Sequence, residues 1–432
     1  MNDNYRSSPE ILAAANSLIA KNKNRFNKNL IAHRPSGPKV TCFMEKTAGE
    51  EADRVAKEII ELHKKGVPYK DITLLYRAHY VTRNLEEKLL KKKIPYTIYS
   101  GTQFFGRMEI KDALCYLRMI VSQDDMAFRR IINKPKRNIG QRRMEFLTNY
   151  ASENGCTLFE ALRKNVEEPT LKCTGAADFI ELIDTFAKDS EGKPVSEVLS
   201  AILDESGYEK MLRTDGSQER LDNLAELKQS VFEYETTCGE ETNIVHYLEH
   251  AALFSNMDTG EGQDKVKLMT VHTAKGLEFP YVFICGMNEG IFPSRKTRTV
   301  NAMEEERRLA FVAMTRAEKA LYITEAGGAN LDGSPRYPSR FILDIDRDKL
   351  EFDSPVDEQL MKETMVYVGR STAFLQEDKD ETTMEAGTRV RHPVFGPGTI
   401  VEVDGSAHAY LIKFDSMPTM RQISFHARLF KL

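Results

Sequence analysis

Residues 40–76 read VTCFMEKTAGEEADRVAKEIIELHKKGVPYKDITLLY, and this stretch decides the fold class. The apolar runs Val40–Met44 and Ile72–Tyr76 have the length and composition of buried β-strands. Between them, Ala52–Lys64 carries apolar residues at helical spacing, which predicts an amphipathic helix. A strand, a helix and a second strand in this order are typical of a parallel sheet with crossover helices. The sequence therefore predicts an α/β domain.

A long helical region interrupts the strand pattern. From about Phe104 to Gly262 the strand signal nearly vanishes, and helical periodicity dominates, as at Val195–Leu203 and Leu221–Tyr234. Strands then return, at Val266–Val271, Tyr281–Cys285 and Leu321–Thr324. The simplest interpretation is an all-helical domain inserted into one α/β domain. Its predicted boundaries are Phe104-Phe105-Gly106 and Gly260-Glu261-Gly262.

The C-terminal part of the chain changes composition twice. Residues 351–385 hold ten acidic and three basic side chains and few aromatic ones, which predicts a flexible acidic linker over 346–383. Short β patterns follow, such as Thr399–Val403 and Tyr410–Phe414, and turn residues separate them. Short strands at close spacing predict a small SH3- or Tudor-like β-barrel at 384–432.

Composition argues against several classes of protein. No apolar run approaches the roughly 18 residues that a membrane helix needs. The N-terminal residues lack the apolar core of a signal peptide. The six cysteines lie far apart and form no C-x-x-C pair, which argues against a zinc site and a disulfide framework. We therefore expect a cytoplasmic protein with no membrane partner and no metal site of its own.

The formal net charge of −4 hides an uneven distribution. The acidic stretch 351–385 carries a net −7, so the remaining residues sum to +3. The strongest basic cluster is Arg129–Met144, RRIINKPKRNIGQRRM, with seven Lys/Arg and no acidic residue. An acidic protein can bind nucleic acid where positive charge is gathered locally, so this segment is a candidate DNA contact.

Three segments combine charged, aromatic and small polar residues in patterns that a simple scaffold does not need. They are Asn4-Tyr5-Arg6-Ser7, the decapeptide from Thr270 to Phe279, and the run from Glu305 to Ala317. Each has a structural alternative when taken alone. Tyr5-Arg6 is also compatible with an ordinary helix start. His272 and Lys275 fit a polar loop after a strand, and the Glu/Arg run fits a solvated helix face.

Taken together, these segments resemble motifs IV, V and VI of the superfamily 1 DNA helicases of the UvrD/PcrA/Rep type. Further matches, in order along the chain, are Tyr76-Arg77, Phe104-Phe105-x-Arg107-x-Glu109-Ile110-Lys111-Asp112, Gly286-Met287-x-Glu289-Gly290-x-Phe292-Pro293 and Pro338-Ser339-Arg340-Phe341. The resemblance covers residue 1 to about 345, and the C-terminal barrel also resembles the last module of that group.

The resemblance implies a domain plan. A RecA-like motor domain, 2A, is formed by residues 1–104 and 264–345, and the helical insert 2B occupies 105–263. The acidic linker at 346–383 and the Tudor-like barrel at 384–432 complete this plan. In this group the last module docks on RNA polymerase, so we expect that partner for the barrel.

The resemblance also implies an ATP-dependent 3′–5′ DNA helicase that serves DNA repair or replication. Arg6 and Arg316 are the expected catalytic residues, which reach the γ-phosphate of ATP, where a fixed positive charge stabilises phosphoryl transfer. Tyr5 is expected to stack on the adenine, and Glu278 to accept a hydrogen bond from the ribose. Tyr5, Arg6, Glu278 and Arg316 are thus the predicted ATP-binding residues.

Single-stranded and forked DNA are the expected nucleic-acid partners. Thr270 and His272 are assigned to the single-strand track, where phosphates are held by polar side chains. Arg77 is a further predicted DNA-binding residue. In the insert, the matching Gly-Ile-Gly loop contacts the duplex, and here it reads Asn138-Ile139-Gly140. Asn138 replaces a glycine, and asparagine tolerates the left-handed backbone conformation better than most residues. The predicted duplex-binding residues of the insert are Lys134, Lys136, Arg137, Ile139 and Gly140.

The 432 residues contain no G-x-x-x-x-G-K-[ST] sequence. Asp204-Glu205 and Asp357-Glu358 only imitate an acidic magnesium box, because neither follows a predicted strand. We therefore expect the Mg²⁺ site and the phosphate-binding loop to lie in another motor domain, and these residues alone not to hydrolyse ATP. Besides Asn138, a second departure from the family pattern is Asn330-Leu331-Asp332, where relatives often have an aromatic residue.

Two rival interpretations stay open. One is the helicase arm of a recombination helicase–nuclease, although that class usually carries a nuclease domain at this end and no carboxylate-rich enzyme domain follows residue 345. The other is a module that only binds DNA or a protein.

Overall fold

The computed structural model describes six main stretches of the chain, which are 3–25, 30–238, 242–256, 263–329, 333–375 and, in shorter pieces, 384–392, 395–404, 409–415, 417, 420–424 and 429–432. The chain divides into two compact units. Met1–Lys296 and Glu304–Gly369 form one unit, and Thr297–Met303 and Arg370–Leu432 form the other.

A seven-stranded parallel sheet lies at the centre of the first unit. The first two strands of the chain form a separate parallel pair, Asp3–Asn4 (β1) and Ile31–Ala32 (β2). The strands of the large sheet are Val40–Glu45 (β3), Ile72–Tyr76 (β4), Tyr96–Ile98 (β5), Val266–Thr270 (β6), Phe279–Cys285 (β7), Ala317–Ala326 (β8) and Leu350–Phe352 (β9). Their order is β5-β6-β4-β7-β8-β3-β9. The predicted α/β fold with a parallel sheet, consistent with a RecA-like motor domain, is confirmed.

Fifteen α-helices accompany the strands in the described residues. They are Pro9–Ile19 (α1), Ala48–Lys64 (α2), Thr82–Lys91 (α3), Met108–Val121 (α4), Asp125–Ile131 (α5), Gln141–Asn154 (α6), Leu158–Lys164 (α7), Ala176–Asp189 (α8), Val195–Glu205 (α9), Tyr208–Thr214 (α10), Gln218–Cys238 (α11), Ile244–Asn256 (α12), Val300–Met314 (α13), Arg340–Asp344 (α14) and Glu358–Ala373 (α15). None of the helices in the described part of the chain is both long enough and apolar enough to cross a membrane.

The strand–helix–strand stretch that decided the fold class shows why these elements form. All five residues of β4 are buried, as expected for a central strand that is covered on both faces. The side chain of Thr47 accepts a hydrogen bond from the Glu50 amide and so caps the N-terminus of α2. The buried face of α2 follows helical spacing and consists of Glu51, Ala52, Val55, Ala56, Ile59 and Leu62. Helix α2 therefore packs its apolar side inward.

Nine of these helices, α4 to α12, lie between β5 and β6, where the sequence predicts the insert. Their core includes Phe128, Phe159 and Phe179, whose ring centroids lie 6.1–6.4 Å apart. Arg83 of α3 joins this region to the sheet, because its Nε donates to Glu226 of α11 over 2.7 Å. The exact domain boundaries stay a prediction, and Gly260-Glu261-Gly262 lies outside the described residues.

The predicted flexible linker over 346–383 is wrong for the part that the structure describes. Leu350–Phe352 pairs with β3 as the edge strand of the large sheet, and Glu358–Ala373 is helical. The acidic composition concealed these elements. Strand β9 needs only three residues beside an existing strand, and α15 buries only Met361 and Thr364. Residues 376–383 lie outside the described part of the chain.

The C-terminal residues form a five-stranded antiparallel sheet of order β13-β12-β11-β10-β14. Its strands are Arg389–His392 (β10), Gly396–Asp404 (β11), Ala409–Phe414 (β12), Arg421–Ser424 (β13) and Phe430–Lys431 (β14). One face buries a small apolar core that includes Val390, Ile400, Tyr410, Ile412 and Phe414. The antiparallel strands agree with the predicted β patterns. Closure of this sheet into a barrel stays a prediction.

Candidate functional site

One corner of the first unit brings together residues from all three motifs. Arg6 follows β1, Glu278 precedes β7 directly, and Arg316 lies between α13 and β8. Arg6 Nε donates to Glu278 Oε2 over 2.6 Å, and Arg6 Nη1 donates to the carbonyl oxygen of Thr315 over 3.3 Å. Side chains that are far apart in sequence therefore meet where three elements of the domain begin or end. We call Tyr5, Arg6, Glu278 and Arg316, the four residues that the sequence predicts to bind ATP, the nucleotide corner.

Arg316 is held in a fixed orientation. Its Nε donates to Val312 O and its Nη1 to Leu277 O, both over 3.0 Å, and its Nη2 donates to Thr315 Oγ1 over 3.3 Å. An arginine side chain has five N–H groups, so two have no partner among the described residues. Burial, followed by the positive charge of Arg6, lowers the pKa of Arg316, whereas Glu278 opposes this shift. The corner thus gathers positive charge that an anion would stabilise.

Glu278 is the acidic member of the nucleotide corner. Its side chain is 55% exposed, and the hydrogen bond and the charge of Arg6 lower its pKa. The carboxylate is therefore ionised at neutral pH and acts as an acceptor. Oxygen Oε2 is used by Arg6. Oxygen Oε1 accepts no hydrogen bond from the described residues, so it is free to accept one from a ligand hydroxyl.

Tyr5 lies at the exposed edge of the nucleotide corner. It is 71% exposed, and its ring stacks on His33 with centroids 4.6 Å apart and an interplanar angle of 16°. Arg34 Nε donates to the Tyr5 carbonyl oxygen over 3.2 Å. The sequence did not predict His33 or Arg34, because only the pairing of β1 with β2 brings them next to Tyr5.

The predicted DNA-binding residues of the α/β domain lie at the carboxyl ends of β6 and β4. Thr270 ends β6 and is the register partner of Tyr76, which ends β4 and precedes Arg77. His272 is exposed, but nearby protein atoms partly desolvate its ring. This desolvation, followed by the charge of Arg77, lowers the pKa of His272, so the imidazole is neutral at physiological pH. Arg77 is held by Glu306 through Nε at 3.0 Å and Nη2 at 2.7 Å. The structure therefore places these residues together but gives Arg77 an internal partner.

We define residues 129–143 as the basic segment of the insert. Its cations include some that bond within the insert and others that are exposed. Arg130 Nε lies 2.6 Å from the buried carboxylate of Asp112, and Lys134 Nζ lies 2.9 Å from it. Arg137 Nη1 donates to three carbonyl groups, and its Nη2 donates to Tyr116 Oη and Ser206 O. The side chains of Lys134 and Arg137 thus hold the loop together.

The other residues of this segment differ in exposure. Ile139 is fully buried, so its side chain does not face a ligand. Asn138 has φ +60°, the left-handed conformation that asparagine tolerates, and Gly140 is exposed just before α6. Lys136 and Arg142 are exposed, and neither has a hydrogen-bond or ion-pair partner among the described residues. The sequence had not assigned Arg142 individually.

Similarity to known proteins identifies the family of this chain. The profile of the UvrD-like helicase C-terminal domain matches residues 1–327. The chain belongs to this family. It is 36% identical over 424 residues to the ATP-dependent DNA helicase PcrA of Staphylococcus aureus strain Mu50, and over 422 residues to PcrA of Staphylococcus epidermidis strain RP62A. Each alignment covers 94% of this chain and 58% of the relative, so the chain spans less than two thirds of the length of these relatives.

Membership of the UvrD-like family confirms the resemblance drawn from the motifs.

Several other motif residues bind one another in the structure. Glu289 Oε2 accepts from Arg340 Nη2 over 2.7 Å, which joins two of the matched segments. Asn223 accepts from Arg107 and donates to Glu109, so the matched stretch after β5 is linked to α11. These contacts link the matched segments to one another and to α11.

No group of three or more His, Cys, Asp or Glu side chains in the described ranges is arranged to hold a metal ion. Of the residues that imitate a magnesium box, Asp204 and Glu205 end α9 and Glu358 begins α15. Asn330-Leu331-Asp332 lies outside the described residues.

Proposed function

We propose that this chain supplies the second motor domain and the helical insert of an ATP-dependent DNA helicase. The helicase would couple ATP hydrolysis to 3′–5′ movement on single-stranded DNA and to duplex unwinding, in repair or replication. The main support is the meeting of Arg6 and Arg316 at Thr315, since both guanidinium groups bond to that residue. Two arginines next to one carboxylate are suited to a triphosphate and a ribose.

The proposed chemistry is electrostatic. As the γ-phosphoryl group is transferred, negative charge shifts among its oxygens, and a preoriented guanidinium stabilises that charge. Arg316 is oriented by three hydrogen bonds to its own domain. Mg²⁺ bound with ATP would neutralise the β- and γ-oxygens.

The ion pair between Arg6 and Glu278 provides a way to couple ATP binding to the corner. At 27% and 55% exposure, both partners are accessible to a ligand. We expect the triphosphate to attract Arg6 away from Glu278, which then accepts a hydrogen bond from the ribose. The exchange costs little because an exposed ion pair contributes only about 0–1 kcal/mol.

The DNA contacts proposed for this chain follow from exposure. Thr270 and His272 lie at the edge of the sheet and are accessible to a single strand, where a neutral imidazole and a hydroxyl donate to phosphates. In the insert, Lys136, Arg142 and the Gly140 backbone are accessible to a duplex. Single-stranded and forked DNA are therefore the proposed partners.

A protein partner is proposed for the C-terminal sheet. Residues 384–432 carry six basic and four acidic side chains, a surplus too small for a surface that follows phosphates. Because the C-terminal residues also resemble the module that docks on RNA polymerase in this group, we expect this sheet to bind RNA polymerase rather than DNA. A pull-down from a lysate with and without residues 384–432 tests this, and unchanged recovery of polymerase after the deletion would contradict it.

A reconstituted ATPase assay tests the main proposal. The printed 432 residues have no phosphate-binding loop sequence, so we expect negligible Mg²⁺-dependent turnover from them alone. Adding a P-loop motor domain from a relative such as PcrA should give DNA-stimulated turnover. DNA binding without turnover in the reconstituted mixture would instead identify a binding module.

A further inference from the structure

We propose that His33 is a positioning residue for the base of the nucleotide: it supports one face of the Tyr5 ring so that the opposite face receives the base. This inference rests on the proposed ATP site. The ring centroids of Tyr5 and His33 lie 4.6 Å apart at an angle of 16°. Tyr5 is nevertheless 71% exposed, so the face away from His33 is open to solvent.

The chain holds His33 in this place through both its backbone and its ring. The His33 amide donates to the Asn4 carbonyl oxygen over 3.0 Å, and its Nε2 lies 2.8 Å from Asp3 Oδ1. The parallel pairing of β1 with β2 brings the two segments side by side, with Asp3 opposite Ile31. His33 is thus fixed relative to Asp3 and Asn4, the two residues that precede Tyr5.

Arg34 fixes the other side of the same strand pair. Its Nε donates to the Tyr5 carbonyl oxygen over 3.2 Å, and its Nη2 lies 3.2 Å from Glu318 Oε2 at the start of β8. Tyr5 is therefore held at its backbone by Arg34 and at its ring by His33. Arg6 follows Tyr5 directly in the chain. The support of Tyr5 therefore also places its ring beside Arg6 and Arg316, the arginines proposed to bind the phosphates.

The physical effect of this support is preorganisation. An unsupported exposed tyrosine must lose side-chain freedom when a base stacks on it, and immobilising one such side chain weakens binding by a factor of about two to ten. A ring already stacked on His33 has lost that freedom before the nucleotide arrives. The base does not change during phosphoryl transfer, so the effect should fall on the KM for ATP and not on kcat.

The test is His33→Ala in the ATPase reconstituted from this chain and a P-loop motor domain. We expect the KM for ATP to rise about two- to tenfold with kcat changed less than twofold. His33→Phe should restore the KM, because it keeps a ring against Tyr5. The matched control is His63→Ala, which removes another histidine–tyrosine stack, on Tyr69 at 3.9 Å and 12°, at the end of α2.

A Tyr5→Ala variant separates this inference from the proposed function. If Tyr5→Ala raises the KM and His33→Ala behaves like His63→Ala, the positioning role of His33 is wrong while base stacking by Tyr5 stands. If Tyr5→Ala leaves the KM unchanged, base stacking by Tyr5 fails and the role of His33 fails with it.

Nuclear magnetic resonance of the chain itself gives a second readout that does not depend on turnover. With selectively labelled histidine, the ring protons of His33 should feel the ring current of Tyr5. In Tyr5→Leu their resonances should move, whereas those of His63 should not. A His33 resonance that is unchanged in Tyr5→Leu would show that the stack is absent and would overturn the inference.

Discussion

The nucleotide corner and the basic segment of the insert both gather positive charge, but they use it differently. In the corner, Arg6 and Arg316 lie near one another, and the pKa of Arg316 is lowered by burial and by the charge of Arg6. In the basic segment, Arg130 and Lys134 share one buried carboxylate, Asp112, and Arg137 is bonded to five internal oxygens. The corner has positive charge available to an anion, whereas most of the cations of the basic segment stabilise its loop.

This difference shows that counting cations in a sequence overestimates the charge available to a ligand. Seven Lys/Arg lie between residues 129 and 143. Of these, Lys136 and Arg142 are exposed and have no partner among the described residues. The comparison therefore predicts which arginines matter for catalysis, which for stability and which for binding.

The largest expected effect is on turnover in the nucleotide corner. In the reconstituted ATPase, Arg316→Ala should reduce kcat by roughly 10³–10⁵, because an arginine acting on transition-state charge contributes on that scale. DNA affinity should change little. Arg308→Ala, in α13 and 38% exposed, is the matched control and should retain turnover. A loss of less than tenfold in Arg316→Ala would assign Arg316 to the structure of motif VI.

A buried carboxyl group in the sheet extends the comparison to negative charge. Glu325 in β8 is 1% exposed, and burial and the nearby Glu51 raise its pKa from 4.5 to about 8. The folded state then binds more protons than the unfolded state between about pH 4.5 and 8. The free energy of unfolding should therefore fall as the pH rises through this window, by an amount on the order of a few kcal/mol.

Urea unfolding of Glu325→Gln at pH 6 and pH 9 measures this effect. The variant keeps an amide oxygen for Asn288, whose Nδ2 donates to Glu325 Oε2 over 3.1 Å in the native protein. We expect a smaller loss of stability between the two pH values than in the native chain. An equal loss would mean that other groups, such as Glu51 and Glu45, carry the pH dependence.

Arg137→Ala separates folding from binding within the basic segment. It removes the donors of three carbonyl groups, Tyr116 Oη and Ser206 O, and a contact of the guanidinium with the Phe179 ring at 4.8 Å. We expect a loss of about 2–3 kcal/mol in the free energy of unfolding, because buried acceptors lose a charged donor. Lys136→Ala, one position away and exposed, should stay within about 0.5 kcal/mol of the native chain. Equal stability of the two variants would contradict the structural role of Arg137.

The sequence predicted the elements with strong periodicity and missed those that depend on distant neighbours. Strand β4 was predicted with its observed bounds because a strand whose five residues are all buried appears in the sequence as an apolar run. Strand β9 and helix α15 were missed because their few buried residues lie among acidic ones. In the same way, the resemblance to the helicase motifs predicted Tyr5, Arg6, Glu278 and Arg316, whereas His33 lies next to Tyr5 only through strand pairing. Nor did the sequence show that Ile139 and Arg137 point inward, because burial depends on the whole insert.

The smallest expected effect is on the salt dependence of duplex binding by the insert. Each phosphate contact contributes a slope of about −0.9 to a plot of log K against log salt. Replacing Lys136 and Arg142 together by Ala should therefore flatten the slope by about two units, with little dependence on DNA sequence, since no base edge is contacted. Fluorescence anisotropy on a junction with a single-strand tail, measured across a salt series, gives the slope.

The control for this experiment is Lys193→Ala with Arg213→Ala, two cations elsewhere on the insert, of which Arg213 is 69% exposed. This pair removes the same total charge without touching the basic segment, so its slope should match that of the native chain. If both double variants flatten the slope equally, duplex binding follows the net charge of the insert and not Lys136 and Arg142. If neither does, Lys136 and Arg142 make no phosphate contact, and the duplex contact lies elsewhere in the insert.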